Sequence, residues 1–118
     1  MVNYRRRWRF YETAAGRRPV RDFLDAQPGS DAAEIVAEMR HVARVGLAGA
    51  RHLRGEIYEV RAAGLNRIFR ILFAALGRYS HILLALEGFA KKTQRTPSRE
   101  VDVAEQRLRD WRERGNRS

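Results

Sequence analysis

EIYEVRAAGLNRIFRILFAALGRYSHILLALEGF, residues 56–89, contains three runs rich in Ile, Val, Leu, Phe and Tyr. These runs predict strands at 56–62, 66–76 and 80–89. Ala63-Gly64 and Gly77-Arg78 separate the runs, and both dipeptides are short enough for hairpin turns. The uninterrupted apolar run ILLAL at 82–86 is typical of a central strand that is buried on both faces. The stretch therefore predicts a three-stranded antiparallel meander at the centre of the fold.

Helical patterns precede the meander. Pro19 suits the first position of a short helix, which Pro28-Gly29 ends. Ser30 is expected to cap a second helix at 31–45, because apolar residues recur there at helical spacing. These two segments predict a helical hairpin.

A further helix is predicted after the meander. Thr96 is expected to be its N-cap, with Pro97 at the first helical position, and the pattern fades at Gly115. The apolar face of this helix is made of Val101, Ala104, Leu108 and Trp111.

The segment 4–13 completes the order of elements. Its aromatic residues alternate in part with arginines, which predicts an N-terminal strand. The order β-α-α-β-β-β-α then describes an α+β fold with a single domain over residues 1–118. We expect two layers, in which Ile35, Met39 and Trp111 pack together against the meander.

Charge is the strongest signal in the composition. The chain has 118 residues, with 24 Lys and Arg against 14 Asp and Glu, which gives a formal net charge of +10. A small domain this basic is expected to meet a polyanion such as nucleic acid, or an acidic protein. The absence of cysteine excludes disulfides, thiol catalysis and zinc-thiolate sites. With no apolar run long enough for a membrane span or a signal peptide, we expect a cytoplasmic protein.

Basic residues interrupt the apolar strands. They are Arg61, Arg67 and Arg70, followed by Lys91 and Lys92 at the end of the third strand. The two lysines are the only ones in the chain, beside 22 arginines. An arginine within a strand costs free energy unless it faces water or an anion. Two interpretations stay open: an anion site, or solvated strand faces with an ordinary ion pair to Glu59.

A metal site is not expected. His41, His52 and His81 are scattered over a helix, a loop and a strand without metal-ligand spacing, and no cofactor motif is present.

Three segments resemble one known family. They are LRGEIYEVR at 53–61, RIFRILF at 67–73 and LEGFAKKTQRTP at 86–97. Together they are similar to the toxins of the RelE/ParE superfamily, and most similar to its HigB-like, phage-derived branch. The resemblance covers residues 4–113, and its most specific part is the pattern GFxKKTxxTP. The fold of that superfamily has the same order of elements.

The resemblance implies a type II toxin–antitoxin toxin. Many members enter the ribosome and cut messenger RNA without a metal. It also implies a cognate antitoxin, commonly a small helix-turn-helix protein encoded by a neighbouring gene. Messenger RNA and the ribosome would be the other partners.

The resemblance also implies the roles of several residues. By matching motifs, Arg70 contacts the scissile phosphate, and Lys91 and Lys92 complete the catalytic set. Arg61 and Glu59 match the E-x-R pattern of the preceding strand, in a binding or structural role. Beside these matches, we expect Arg61, Arg67 and Arg95 to bind RNA phosphates. Lysine can take part in proton transfer, whereas arginine stays charged and can only stabilise the phosphorane.

One departure from the superfamily concerns proton transfer. Many members have a tyrosine, histidine or aspartate near the C-terminus, but this chain has no tyrosine after Tyr79 and no histidine after His81. His52 and His81 are candidates, although a structural role is the commoner one for either. Two alternatives therefore stay open: a ParE-like toxin that acts on DNA gyrase, and an inactive prophage remnant that binds nucleic acid.

Overall fold

The computed structural model describes residues 5–91 and 95–115, and in these ranges it contains one five-stranded sheet and three α-helices. The strands are β1 (Arg7–Phe10), β2 (Arg51–Arg54), β3 (Ile57–Ala63), β4 (Ile68–Leu76) and β5 (Ile82–Lys91). The helices are α1 (Pro19–Asp25), α2 (Gly29–Val45) and α3 (Ser98–Glu113). The predicted α+β class and order of elements are confirmed, with β2 as an addition.

The sheet has the order β1-β5-β4-β3-β2. From β2 to β5 neighbouring strands are antiparallel, whereas β1 lies parallel to β5. Residues 82–86 of β5 are buried on both faces, as the apolar run predicted. This strand lies between β1 and β4 and carries apolar side chains to both sides of the sheet.

Helices cover both faces of the sheet, so the prediction of two layers was wrong. On one face, Ile35 and Met39 of α2 pack with Phe73 and other strand residues. On the other face, Trp111 of α3 packs with Leu72 and its neighbours. Strands β4 and β5 present apolar side chains on both faces of the sheet, so a helical layer is needed on each face. Trp111 therefore does not join Ile35 and Met39.

Strand boundaries differ from the prediction throughout the sheet, and in the meander β3 is shifted by one residue from 56–62 and β4 starts two residues after position 66. The first strand is shorter than 4–13, and Tyr4 lies outside the described residues. Strand β2 went unpredicted because its sequence, RHLR, is short and charged, as edge strands often are. Strand β5 starts two residues late because Arg78–Ser80 form a 3₁₀ turn that includes positive φ angles at Tyr79 and Ser80.

The predicted helix caps also differ. Pro28 and Pro97 occupy the N-cap positions of α2 and α3, so Ser30 and Thr96 are not caps. Thr96 uses its hydroxyl elsewhere, as described below. In the described part of the chain, no helix is long and apolar enough to cross a membrane.

The buried face of α2 provides a test of the packing. Met39 is buried against the sheet, so Met39→Asp places an unpaired carboxylate in the core. We expect this variant to lose at least about 3 kcal/mol of unfolding free energy, measured by chemical denaturation. Ala37→Asp, on the exposed side of the same helix, is the matched control and should stay within about 1 kcal/mol of the parent. Equal stability of the two variants would contradict this packing.

Candidate functional site

The strand register brings two arginines face to face. Arg61 of β3 lies directly opposite Arg70 of β4. Arg70 precedes Leu72 by two residues, so it lies on the face that α3 covers. Like charges directly opposite each other in a sheet destabilise it. The pair therefore requires a compensating negative charge.

Glu59 supplies that charge. The Arg61 Nε donates a hydrogen bond of 2.5 Å to the Glu59 Oε1. Glu59 is 1% exposed and Arg70 is 0% exposed, so both charges are inside the protein. Arg61 is more accessible, since 25% of its side chain is exposed. The cluster thus has two buried charges and one charge at its rim.

Thr96 joins the two buried charges. Its hydroxyl donates a hydrogen bond to the Glu59 Oε2 and accepts one from the Arg70 Nη1, 3.1 Å away. A hydroxyl can donate and accept at the same time, so it satisfies a carboxylate and a guanidinium together. Thr96 lies just before the Pro97 cap of α3, and it therefore connects the start of that helix to the sheet.

Burial shifts the pKa of Arg70 downwards. Desolvation is the largest cause, and the positive charges of Arg61 and Arg51 act in the same direction. The Glu59 carboxylate opposes them and raises the pKa. Arginine is not deprotonated in folded proteins at neutral pH, so Arg70 stays charged there. A full positive charge is therefore held in the interior beside the carboxylate.

A cavity of about 670 Å³ opens beside the cluster. Thr96 is part of its wall, and Lys91, Arg95 and Arg99 add three positive charges to the lining. Arg54 also lines it, but its guanidinium is paired with Asp102 at 2.5 Å and Glu105 at 2.7 Å. The cavity is therefore cationic and has room for part of a polyanion.

The structure brings together most of the predicted site residues. Glu59, Arg61 and Arg70 form the cluster, while Lys91 and Arg95 line the cavity next to it. Lys92 lies outside the described residues. Arg70 is shielded from solvent, so the direct phosphate contact that the resemblance implied does not fit this conformation.

Arg67 does not join this group. It lies at the turn between β3 and β4, where its carbonyl accepts a hydrogen bond of 2.9 Å from the Gly64 N–H. It lines a separate cavity of about 450 Å³ together with Asp31 of α2 and residues of the α1–α2 loop.

Each candidate histidine is held by a backbone carbonyl three residues away along the chain. The His52 Nε2 lies 2.8 Å from the Gly55 carbonyl oxygen, which fixes that nitrogen as the donor. The His81 Nδ1 lies 2.6 Å from the Arg78 carbonyl oxygen, and His81 is at the opposite end of β5 from Lys91. Both contacts are structural. Across residues 5–91 and 95–115, no group of three His, Asp or Glu side chains is arranged to hold a metal.

Thr96 is the site residue that sequence reasoning missed. A residue before proline is biased towards extended backbone, so its side chain need not serve as a helix cap. The Thr-Pro pair predicts a helix start, and that pattern does not indicate the hydrogen bonds of the Thr96 hydroxyl to Glu59 and Arg70. The signal that could have revealed it is the excess of charge on β3 and β4, which requires a further polar partner.

The chain is similar in sequence to known proteins. The family model described as "Phage derived protein Gp49-like (DUF891)" matches residues 22–109. The "Probable endoribonuclease HigB1" of Mycobacterium tuberculosis is 32% identical over 108 residues, which are 89% of this chain and 84% of that protein. The same match is found in strains CDC 1551 / Oshkosh and ATCC 25618 / H37Rv.

These matches define the class of the protein as the RelE/HigB-type toxins, which confirms the resemblance noted in the sequence. Within that class, the chain belongs to the Gp49-like phage-derived family. A toxin of this type implies a cognate antitoxin as its partner.

The compensating role of Glu59 can be tested by stability. Glu59→Gln leaves Arg70 buried without its carboxylate, so we expect a loss of about 3–5 kcal/mol of unfolding free energy in a denaturant titration. Glu105 also pairs with an arginine, Arg54, but that ion pair is more exposed. Glu105→Gln is therefore the control, and it should lower the unfolding free energy by less than about 1 kcal/mol. If both variants lose the same small amount, Glu59 does not hold the cluster together.

Proposed function

We propose that this protein is the toxin of a type II toxin–antitoxin pair and an endoribonuclease. Its substrate is messenger RNA at the ribosome, and cleavage there inhibits translation. The name of the M. tuberculosis relative, an endoribonuclease, supports the class of reaction. The ribosomal substrate rests on the superfamily resemblance.

One observation carries the proposal. Arg61, Arg70 and Lys91 lie at neighbouring positions on three adjacent strands, with Glu59 among them, so this set of four has a net charge of +2. Positive charge that is fixed before the reaction stabilises negative charge that develops in the transition state. A phosphate that undergoes substitution is such a group, and the cationic cavity beside the cluster can hold the RNA on either side of it.

The chemistry that fits this set is cleavage by the neighbouring ribose hydroxyl. The 2′-hydroxyl gives its proton to solvent, and its oxygen attacks the adjacent phosphorus. The bond from phosphorus to the 5′-oxygen then breaks, which leaves a 2′,3′-cyclic phosphate and a 5′-hydroxyl. Arg61 stabilises the extra negative charge on the phosphorane. A protonated lysine, Lys91 or Lys92, gives a proton to the leaving 5′-oxygen, and an arginine does this poorly.

Arg70 has an indirect part in this proposal. Its guanidinium is buried behind Thr96, so it adds positive potential from inside and does not touch the RNA. Its charge acts through a medium of low dielectric, where electrostatic effects are stronger than in water. Arg95 lies in the cavity and binds the flanking phosphates, and Arg67 remains a proposed contact further out.

Two cationic variants test the catalytic role. We expect Arg61→Ala, and the double change Lys91→Ala, Lys92→Ala, to lower the rate of RNA cleavage by about 100-fold or more, because each removes transition-state stabilisation. Cleavage is measured in a translation system with a defined messenger RNA, with and without excess EDTA. Arg40→Ala, an exposed arginine on α2 and on the other face of the sheet, is the control and should keep full activity.

Further variants and a measurement of DNA supercoiling after induction in cells separate the alternatives. Lys92→Arg keeps the charge, so its loss of activity would point to proton transfer and its retention to charge alone. Full cleavage by Arg61→Ala and by the double lysine variant would contradict the site. Intact messenger RNA together with failing DNA supercoiling after induction would instead support a ParE-like action on gyrase.

The antitoxin contact has an electrostatic prediction of its own. We propose a small helix-turn-helix antitoxin, encoded next to the toxin, that covers the cationic face with an acidic segment. Because the toxin has a net charge of +10, we expect the association rate to fall about tenfold or more between low and physiological salt. Stopped-flow mixing at several ionic strengths measures this rate.

A parallel cleavage assay provides the control for that experiment. The complex should no longer cut RNA. An antitoxin that binds while RNA cleavage continues would contradict coverage of this face. An association rate that does not change with salt would show that the antitoxin is recognised through apolar contacts.

A further inference from the structure

The Thr96 hydroxyl lies between the Glu59 carboxylate and the Arg70 guanidinium. It accepts from the Arg70 Nη1 at 3.1 Å and donates to the Glu59 Oε2. The other oxygen of the same carboxylate, Oε1, accepts from the Arg61 Nε at 2.5 Å. Glu59 therefore bonds to Arg61 directly, but it reaches Arg70 through a neutral group.

The two arginines have different access to solvent. Arg70 is fully buried, whereas a quarter of the Arg61 side chain is exposed. Without the hydroxyl, the buried carboxylate and the buried guanidinium have a strong mutual attraction in a medium of low dielectric. Such a pair favours a direct, two-pronged contact, because that geometry satisfies both groups. The carboxylate would then turn away from Arg61.

We infer that Thr96 is a positioning residue that divides the Glu59 carboxylate between the two arginines and so holds the Arg61 guanidinium in place at the rim of the cluster. This inference rests on the proposed function for its effect on RNA cleavage. The geometric part does not, because it concerns only the contacts of Thr96 and Glu59 with the two arginines.

Loss of the Thr96 hydroxyl is expected to slow the cleavage step without weakening the binding of RNA. Arg61 keeps its charge whichever way the carboxylate turns, so attraction of the RNA is unchanged. What changes is the orientation of a group that acts mainly in the transition state. Such a change lowers the maximal rate and leaves the half-saturating concentration nearly unaltered.

The first test uses three variants at one position. Thr96→Val keeps the shape and removes the hydroxyl, Thr96→Ser keeps the hydroxyl, and Thr96→Cys replaces it with a weak donor. Single-turnover cleavage of a ribosome-bound messenger RNA is measured at varied protein concentrations. We expect the maximal rate of Thr96→Val to fall about tenfold or more, with a half-saturating concentration within about twofold of the parent. Thr96→Ser should stay within about threefold, and Thr96→Cys should lie between the two.

Thr13→Val is the matched control. It is the same substitution, at a threonine whose hydroxyl accepts a hydrogen bond of 3.1 Å from the Arg17 N–H in the turn after β1. Its maximal rate should equal that of the parent.

The second test does not depend on RNA cleavage. The Nε–H of Arg61, bonded to Glu59 at 2.5 Å, should give a displaced and slowly exchanging signal in ¹⁵N-edited NMR, assigned by its loss in Arg61→Lys. Thr96→Val should move this signal or bring it into fast exchange with water, while Thr96→Ser and Thr13→Val leave it in place.

The outcomes are distinguishable. A parent protein that does not cut RNA would end the proposed function, and the Arg61 signal would then decide the positioning role by itself. An unchanged signal in Thr96→Val, or an unchanged maximal rate in an active protein, would overturn the inference. If Thr96→Val fails to fold, Thr96→Cys replaces it in both measurements, and full activity with an unmoved signal would overturn the inference equally.

Discussion

Glu59 brings a full negative charge into the sheet, where Arg61 and Arg70 would otherwise repel each other across β3 and β4. Removing charges from water costs several kcal/mol per ion, so a buried ion pair adds little stability by itself. An apolar set of side chains at these positions would pack against α3 more cheaply. The sheet therefore gives up stability in order to keep two guanidinium groups at one place. A fixed cation beside an open cavity is what that arrangement provides.

The helix α3 contributes to this site in two ways. Its apolar side closes the second face of the sheet through Val101, Leu108 and Trp111. Its first turn follows directly after Thr96, so the packing of the helix fixes the position of the hydroxyl. The exposed ion pairs between α3 and β2, such as Arg54 with Glu105, contribute little. The geometry of the polar cluster thus depends mainly on the apolar packing of α3 against the sheet.

The sequence was most informative where local patterns decide the structure. The run 82–86 identified β5 as an interior strand because continuous apolar sequence requires burial on both faces. The same reasoning also predicts helices on both faces of the sheet, because a strand that is buried on both faces needs an element packed against each face. Strand β2 had no such pattern, because RHLR at an edge is stabilised by pairing with β3. For the site, the charged residues could be chosen from their place on apolar strands, but the burial of Arg70 and the link through Thr96 depend on contacts between distant segments.

The distribution of charge across the fold explains how such a site can face a polyanion. Residues 22–39, which include most of α1 and the first two-thirds of α2, contain five acidic residues and no basic one. Because the whole chain is +10 and this stretch is −5, the remaining residues carry +15. The acidic stretch belongs to the helices on one face of the sheet, whereas Arg61, Lys91 and Arg95 lie with α3 on the other. The acidic stretch is bordered by Arg21 and Arg40, and α3 itself has five acidic residues against four basic ones, so neither helical layer is strongly charged. The positive charge on the α3 side therefore comes from the ends of the strands and from the segment before the helix. Attraction of a polyanion to this place is local to the cluster and the cavity, and it needs no base-specific contact.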